Sequence, residues 1–231
     1  RFGCLLARFF SRDMGIGDET TPEALMRAAL LPLAALAFLA ACQSTMTPQS
    51  ESKAQADAQQ MQLASQPPMR WGQAAGSDQW TRATLLALDR EGVTILSRVP
   101  GDIDTFCPNY ENLNPTGRKA FWAGLLSAVA KHESTYNPQA SGGGGKWLGL
   151  MQIAPATWRN YGCNGNIKNG GDNMSCAVKI MSRQVARDNA VAHDGNGWRG
   201  IARDWAPLRN ASKRADIAAW TSSQSYCKPK A

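Results

Sequence analysis

The sequence predicts a mainly α-helical domain. Apolar residues recur at three- and four-residue spacing, above all at Trp122, Leu125, Leu126 and Val129. Helix punctuation is frequent, with Asn114-Pro115 as an N-cap and first-turn pair and Gly92 as a stop. Strand signal is nearly absent: only Val93–Val99 is short and β-branched enough for a strand or an extended connection. The 231 residues are 43% hydrophobic and 19% charged, which excludes a wholly disordered, collagenous or multi-spanning membrane chain. Formal net charge is +7, so an anionic partner fits; charge alone does not choose among nucleic acid, lipid and cell wall.

The N-terminal part reads as sorting sequence. Position 1 is Arg, so 1–25 is expected to be a non-native upstream segment, with a start at Met26. Met26-Arg27 is followed by Ala28–Ala41, an apolar run too short to span a bilayer and of the right length for an export signal. It closes on Leu39-Ala40-Ala41-Cys42, which resembles the bacterial lipobox. That resemblance implies a signal peptide over 26–41, cleavage before Cys42 and acyl chains on Cys42, a durable anchor because several chains share it. Gln43 in place of Asp implies sorting to the outer membrane. From Cys42 onward the chain keeps 21 Lys/Arg against 14 Asp/Glu, still +7.

Residues 43–76 hold almost no bulky apolar side chain, too little to offset ordering entropy. They read as a flexible linker of 34 residues with a coil span of about 30–35 Å. A domain over 77–231 follows. Ser77-Asp78 is expected to cap a helix running to Glu91; Asp102–Asn114 carries no periodicity. Helices are expected from Pro115 to about Glu133, then over Pro155–Asn160, Asn173–Asn189, Trp198–Trp205 and Arg214–Ser222. With Cys4 and Cys42 set aside, Cys107, Cys163, Cys176 and Cys227 form an even set in an exported chain, which suggests two disulfides. Three pairings are possible; Cys163–Cys176 across a Gly/Asn-rich loop and Cys107–Cys227 across the domain ends are the expected ones. No C-x-x-C occurs and His132 and His193 share no metal-ligand spacing with a Cys pair, so no metal site is expected.

Between Glu111 and Asp172 the only acidic residue is Glu133. It follows Val129 by four positions and so continues the apolar face, and it lies in the last helical turn, where the backbone dipole disfavours a negative charge. Both effects raise a carboxyl pKa, as a proton donor near neutral pH requires. A frayed helix end with Glu133 turned to water is the competing reading.

The run His132-Glu133-Ser134-Thr135-Tyr136-Asn137-Pro138, followed by Gly149-Leu150-Met151-Gln152-Ile153-Ala154-Pro155-Ala156-Thr157-Trp158, closely resembles the lytic transglycosylases of the SLT, lysozyme-like superfamily. Asp172-Asn173-Met174-x-x-Ala177 resembles that family's Asn-Ile-x-x-Gly helix start, and the resemblance covers about residues 116–190. It implies a lysozyme-like, goose-type helical domain that cleaves the β-1,4 bond between N-acetylmuramic acid and N-acetylglucosamine in peptidoglycan, leaving 1,6-anhydromuramic acid ends. Glu133 would be the sole general acid/base, Ser134 would orient it, and Gly149, Leu150, Met151, Gln152 and Tyr136 would hold the glycan. No cofactor is implied.

Two departures stand out. The loop Ser141–Leu148 is glycine-rich and carries Trp147, read either as a sugar-contacting lip or as a packed plug. The family's Ala-Tyr-Asn segment is missing; Gly197–Pro207 stands in its place, with Trp198 or Trp205 as candidate cleft residues. Asp172 is expected to cap the helix near Asn173, and would have to face Glu133 in a lysozyme-type muramidase. The other rival is a non-catalytic peptidoglycan-binding lipoprotein. Arg183, Arg187, Arg199, Arg203, Lys213 and Arg214 are expected to form a solvated basic face. The expected setting is a monomer in the periplasm, held to outer-membrane lipid through Cys42, with no nucleic-acid role.

Overall fold

A computed structural model describes residues 66–229. The expected export signal, Cys42 and the expected linker up to residue 65 lie outside the described residues. The elements are α1 (Ser77–Glu91), the single turn α2 (Val93–Leu96), α3 (Pro115–Ser134), strands β1 (Ser141–Gly142) and β2 (Trp147–Leu148), α4 (Pro155–Asn160), α5 (Gly170–Asp188) and α6 (Ala211–Ser223), joined by short 3₁₀ turns.

Helix α3 is the axis of the fold. Asn114 caps it through its side chain, which accepts a hydrogen bond from the Gly117 N–H, and Pro115 occupies the first turn. Every residue from Ala120 to Ala130 is buried. The apolar face expected from Trp122, Leu125, Leu126 and Val129 is therefore part of a helix enclosed on all sides, with small residues filling the rest. Gly124 is needed for close approach, because a Cβ there would collide with the Tyr226 hydroxyl and crowd the Trp220 ring. Buried Ser127 donates to the Gly124 carbonyl at 2.6 Å, satisfying its own hydroxyl within the helix.

The other helices wrap this axis. Helix α1 packs chiefly on α5 and secondarily on α3, while α6 packs on α3. Tyr110, Phe121 and Trp122 meet edge to face, with centroids 5.1–6.1 Å apart. Trp122 Nε1 donates to the Tyr110 hydroxyl at 2.8 Å, so both buried polar ends are satisfied. Asp102 accepts the N–H groups of Val191, Ala192 and His193 at 2.6–2.9 Å, pinning the segment that follows α5. Cys107–Cys227 joins the two ends of the domain across 120 residues, and Cys163–Cys176 closes the loop before α5. Both are the expected pairings.

Several local expectations change. Val93–Val99 starts with a helical turn, not a strand: tertiary packing of buried Ile95 overrides β-branched propensity. Helix α1 starts after Gly76 in a left-handed conformation with no side-chain cap. Helix α5 starts at Gly170, three residues before the expected Asn173, because the Asn169 side chain accepts the Asp172 N–H. Asp172 is thus a first-turn residue and not the cap. The Trp198–Trp205 stretch is a 3₁₀ turn over Gly200–Arg203. The basic face is largely paired: Arg187 and Arg203 meet Asp188, Arg199 meets Asp194, and Arg183 and Arg214 lie over the rings of Tyr161 and Trp198.

The largest change is the domain boundary. Trp71, placed in the linker by composition, is only 3% exposed and joins the core. Its Nε1 donates to Thr81 Oγ1 at 3.0 Å. Arg70 donates its backbone N–H to Ser127 Oγ and pairs with Asp216 of α6, each at 2.8 Å. One tryptophan with a satisfied indole N–H outweighs the polar composition around it. Trp71→Ala should lower unfolding free energy by about 3–5 kcal/mol, and a chain beginning at Ser77 by at least as much; urea denaturation of each against the full chain measures it.

Candidate active site

Glu133 lies in the last turn of α3, which ends at Thr135 in a left-handed conformation (φ 52°). Tyr136 follows at φ 64°. Two successive non-glycine residues with positive φ, one of them β-branched, cost about 1 kcal/mol or more each. Gln152 at φ 45° is a third. Three of the four non-glycine residues with positive φ among the described residues thus follow Glu133 or end the Gly149–Gln152 turn, and functional sites are where backbone strain tends to be kept.

The Gly149–Gln152 segment is a tight turn closed by paired backbone bonds between Leu148 and Ile153, at 3.0 and 3.1 Å. Asn173, fully buried on α5, brackets this turn. Its Oδ1 accepts the Met151 N–H at 2.8 Å, and its Nδ2 donates to the carbonyls of Leu148 and Ile167 at 3.2 and 2.8 Å. Gly149 (φ 80°) has to be glycine, since a Cβ would collide with the Asn173 amide and the Ile167 carbonyl. Upstream, β1 and β2 pair antiparallel with Gly142 opposite Trp147, so the glycine run is the tip of a hairpin. That pairing aims Trp147 at the cleft while leaving it 48% exposed.

The cleft has a volume of about 290 Å³ and is lined by Glu133, Trp147, Gln152, Asp204, Ala206 and Arg209. A recess of about 60 Å³ shares Trp147, Gln152 and Asp204 with it and ends on Trp205. Burial pushes the Glu133 carboxyl up to about 7, while the positive charges of Lys213 and then Arg209 pull it down. The group is therefore close to half protonated near neutral pH.

A family model for the transglycosylase SLT domain matches residues 113–201. The structure of Bd0314 DslA, wild-type form 2, is 29% identical with a TM-score of 0.64, covering 71% of this chain and 99% of that one. A glutamate-to-glutamine mutant of Bd0314 DslA is 31% identical with a TM-score of 0.62, covering 68% of this chain and 94% of that one. The chain belongs to the SLT transglycosylase family. No curated protein matches it in sequence. Membership carries the lysozyme-like fold and a lytic transglycosylase-type action on peptidoglycan.

Within this SLT domain the expected site residues divide. Glu133 and Gln152 share the cleft with Trp147, which is a lip residue and not a plug. The side chains of Leu150 and Met151 are fully buried and act through the turn's backbone; the Met151 carbonyl accepts the Trp205 indole N–H at 2.9 Å. Ser134 does not bond Glu133: its hydroxyl turns back to the Ala130 carbonyl at 3.4 Å, the usual local partner of a helical serine. Tyr136 is not among the lining residues; its hydroxyl donates to the Arg70 carbonyl at 3.1 Å, fastening the N-terminal segment. Asp172 does not face Glu133: it accepts the Asn166 N–H at 2.8 Å and lines a separate cavity with Arg90 and Lys179. His132 points away from the cleft, with Nε2 2.7 Å from Asp216. Of the two tryptophans offered for the missing Tyr segment, Trp205 reaches the recess, whereas Trp198 packs on His193 and Arg214.

Three lining residues were not foreseen, Asp204, Ala206 and Arg209. Asp204 stood inside the segment that replaces the missing motif, beside Trp205, and that adjacency was the only signal. Among the described residues no group of three His, Cys, Asp or Glu could hold a metal ion.

Two tests follow from this geometry. Glu133 is shifted upward in the folded state, so its ionisation opposes folding as pH rises from about 4.5 to about 7. Glu133→Gln should therefore match the wild type in stability below pH 4.5 and exceed it by on the order of 2 kcal/mol above pH 7, read from denaturation curves at both pH values. Asn173→Ala leaves the Ile167 carbonyl and the Met151 N–H without their partner. It should lower stability by about 3 kcal/mol and abolish glycan cleavage, read by calorimetry and a turbidity assay on cell walls.

Proposed function

We propose that the protein is a peptidoglycan lytic transglycosylase in which Glu133 is the sole general acid/base. The observation that carries this reading is the placement of Glu133: a half-buried carboxyl poised near neutral pH, in the last turn of α3, in the cleft lined by Gln152 and Trp147. Protonated Glu133 gives its proton to the glycosidic oxygen between N-acetylmuramic acid and N-acetylglucosamine, and the C1–O bond breaks. The substrate's 2-acetamido group supports the oxocarbenium-like centre. The Glu133 carboxylate then takes the proton of the C6 hydroxyl as that oxygen closes on C1. The product is a 1,6-anhydro end; no water is consumed and the proton returns to Glu133.

The opposing effects on Glu133 suit this cycle. Burial favours the acid that starts it, and Lys213 and Arg209 support the carboxylate in its middle. Gln152 donates its Nε2 to the Gly149 carbonyl at 2.9 Å, which fixes the amide and leaves its oxygen for a glycan N–H. The exposed Trp147 ring offers a face for a sugar ring.

The export signal, Cys42 and the stretch before the domain support a setting in the periplasm, with lipid on Cys42 in the outer membrane and the domain reaching the wall as a monomer. One observation favours a second reading. Asp204 is another carboxylate in the cleft, and a muramidase on the same fold would use such a group to activate water.

Mass spectrometry of peptidoglycan digested by the full chain separates the two. The expected result is 1,6-anhydromuramic ends that disappear with Glu133→Gln; reducing ends in their place would establish the hydrolase. As a second outcome, kcat should fall about tenfold per pH unit above pH 7, as the protonated form of Glu133 is lost.

A further inference from the structure

Asp204 is the charged side chain of the cleft that neither the family motifs nor the proposed reaction employs. It lines both the cleft that holds Glu133 and the recess beyond it, so it stands where the two meet, beside Trp147 and Gln152. Its carboxylate is exposed and is in none of the ion pairs among the described residues. A cation is at hand, yet Arg209 gives its Nη1 to the carbonyls of Ala202 and Arg203. The acid thus stands on the wall of the cleft without an ion-pair partner among the described residues.

Its position is nonetheless held. Gln184 of α5, only 4% exposed, donates its Nε2 to Asp204 Oδ2. The Gln184 Oε1 has no partner. Burying an amide with one end unsatisfied is unfavourable, and the only bond that this side chain makes is the one that fixes Asp204. The turn before Asp204 is clamped as well: Asp188, on the last residue of α5, accepts the Gly200 N–H at 2.8 Å and Arg203 Nε at 2.6 Å. Asp204 thus has one carboxylate oxygen bonded to the protein and, among the described residues, no protein hydrogen bond to the other, on a residue that lines the cleft.

We propose that Asp204, positioned by Gln184, is a glycan-binding residue that accepts hydrogen bonds from a sugar hydroxyl or acetamido N–H in the part of the cleft beyond Glu133. The inference rests on the glycan-cleaving reading above. An ionised carboxylate only accepts hydrogen bonds, and sugars present hydroxyl and amide donors along their edges while Trp147 takes an apolar face.

The test is the affinity of the full chain carrying Glu133→Gln for a β-1,4-linked N-acetylglucosamine tetramer, by calorimetric titration, with and without Asp204→Asn. The expected result is a Kd raised about tenfold by Asp204→Asn and raised in the same direction by Gln184→Leu, with melting temperature reporting that each variant is folded. Asp204→Ser serves as a second variant if Asn disturbs the turn. With Glu133 intact, Asp204→Asn should lower kcat/KM about tenfold through KM and leave the type of product end unchanged. A Kd within twofold of the parent would overturn the proposal alone. A hundredfold fall in kcat at unchanged Kd would also overturn it, by making Asp204 act on the reacting atoms. If the Glu133→Gln parent binds neither the tetramer nor cell-wall fragments, the glycan reading itself falls and this inference with it.

Discussion

A helix that is buried on every side imposes the constraints that the rest of this domain answers. From Ala120 to Ala130 every residue of α3 is buried, and its side chains are shared among α1, α6 and the aromatic cluster around Tyr110. Such a helix has to end where the chain can turn, and here it ends through left-handed residues at Thr135 and Tyr136. Glu133 sits one turn into that exit. It is close enough to the core for desolvation to hold its proton, and open enough to line a cleft. The acid is thus a consequence of how the central helix leaves the core.

The cleft's other wall depends on a different economy. The Gly149–Gln152 turn has few side chains in contact with anything that could bind there; Leu150 and Met151 point inward. Its rigidity comes from Asn173, which bonds backbone groups on both sides of the turn from α5. A single buried amide with both ends satisfied converts a short irregular loop into a fixed surface. The same helix carries Gln184 about three turns later, which holds Asp204, so α5 supports both the motif turn and the segment that carries Asp204.

Charge is arranged with similar locality. The net +7 of the chain does not form a bare basic face, because most arginines along α5 and the following turns meet Asp188, Asp194 or an aromatic ring. The cations whose field reaches Glu133 are Lys213 and Arg209, and they moderate what burial does to its carboxyl. Asp216 draws together Arg70, Lys131 and His132, tying the N-terminal segment, the end of α3 and α6 into one corner behind the site.

What the sequence alone determined was whatever depends on neighbours along the chain. The Asn114-Pro115 start of α3, the span of α4, the likeness of Glu133-Ser134 and Gly149–Gln152 to one family, and the even set of four cysteines are all local patterns. Their physical causes, capping, periodicity and glycine geometry, act within a few residues. Only the tertiary structure decided what lies across space. Composition assigned Trp71 to a linker, because one aromatic among Gln, Ala and Pro carries no periodic signal; its burial depends on a pocket built by α1 and α3. Glu133 looked solitary because Asp204 is 71 residues away in the sequence and reaches the cleft only when α5 and the turn clamped by Asp188 fold back. Ser134 and Tyr136 matched the motif in order, yet their hydroxyls found nearer backbone partners. Spacing along a chain specifies which residues can be neighbours on one element, while the choice of partner across the cleft is made by packing, which no local pattern encodes.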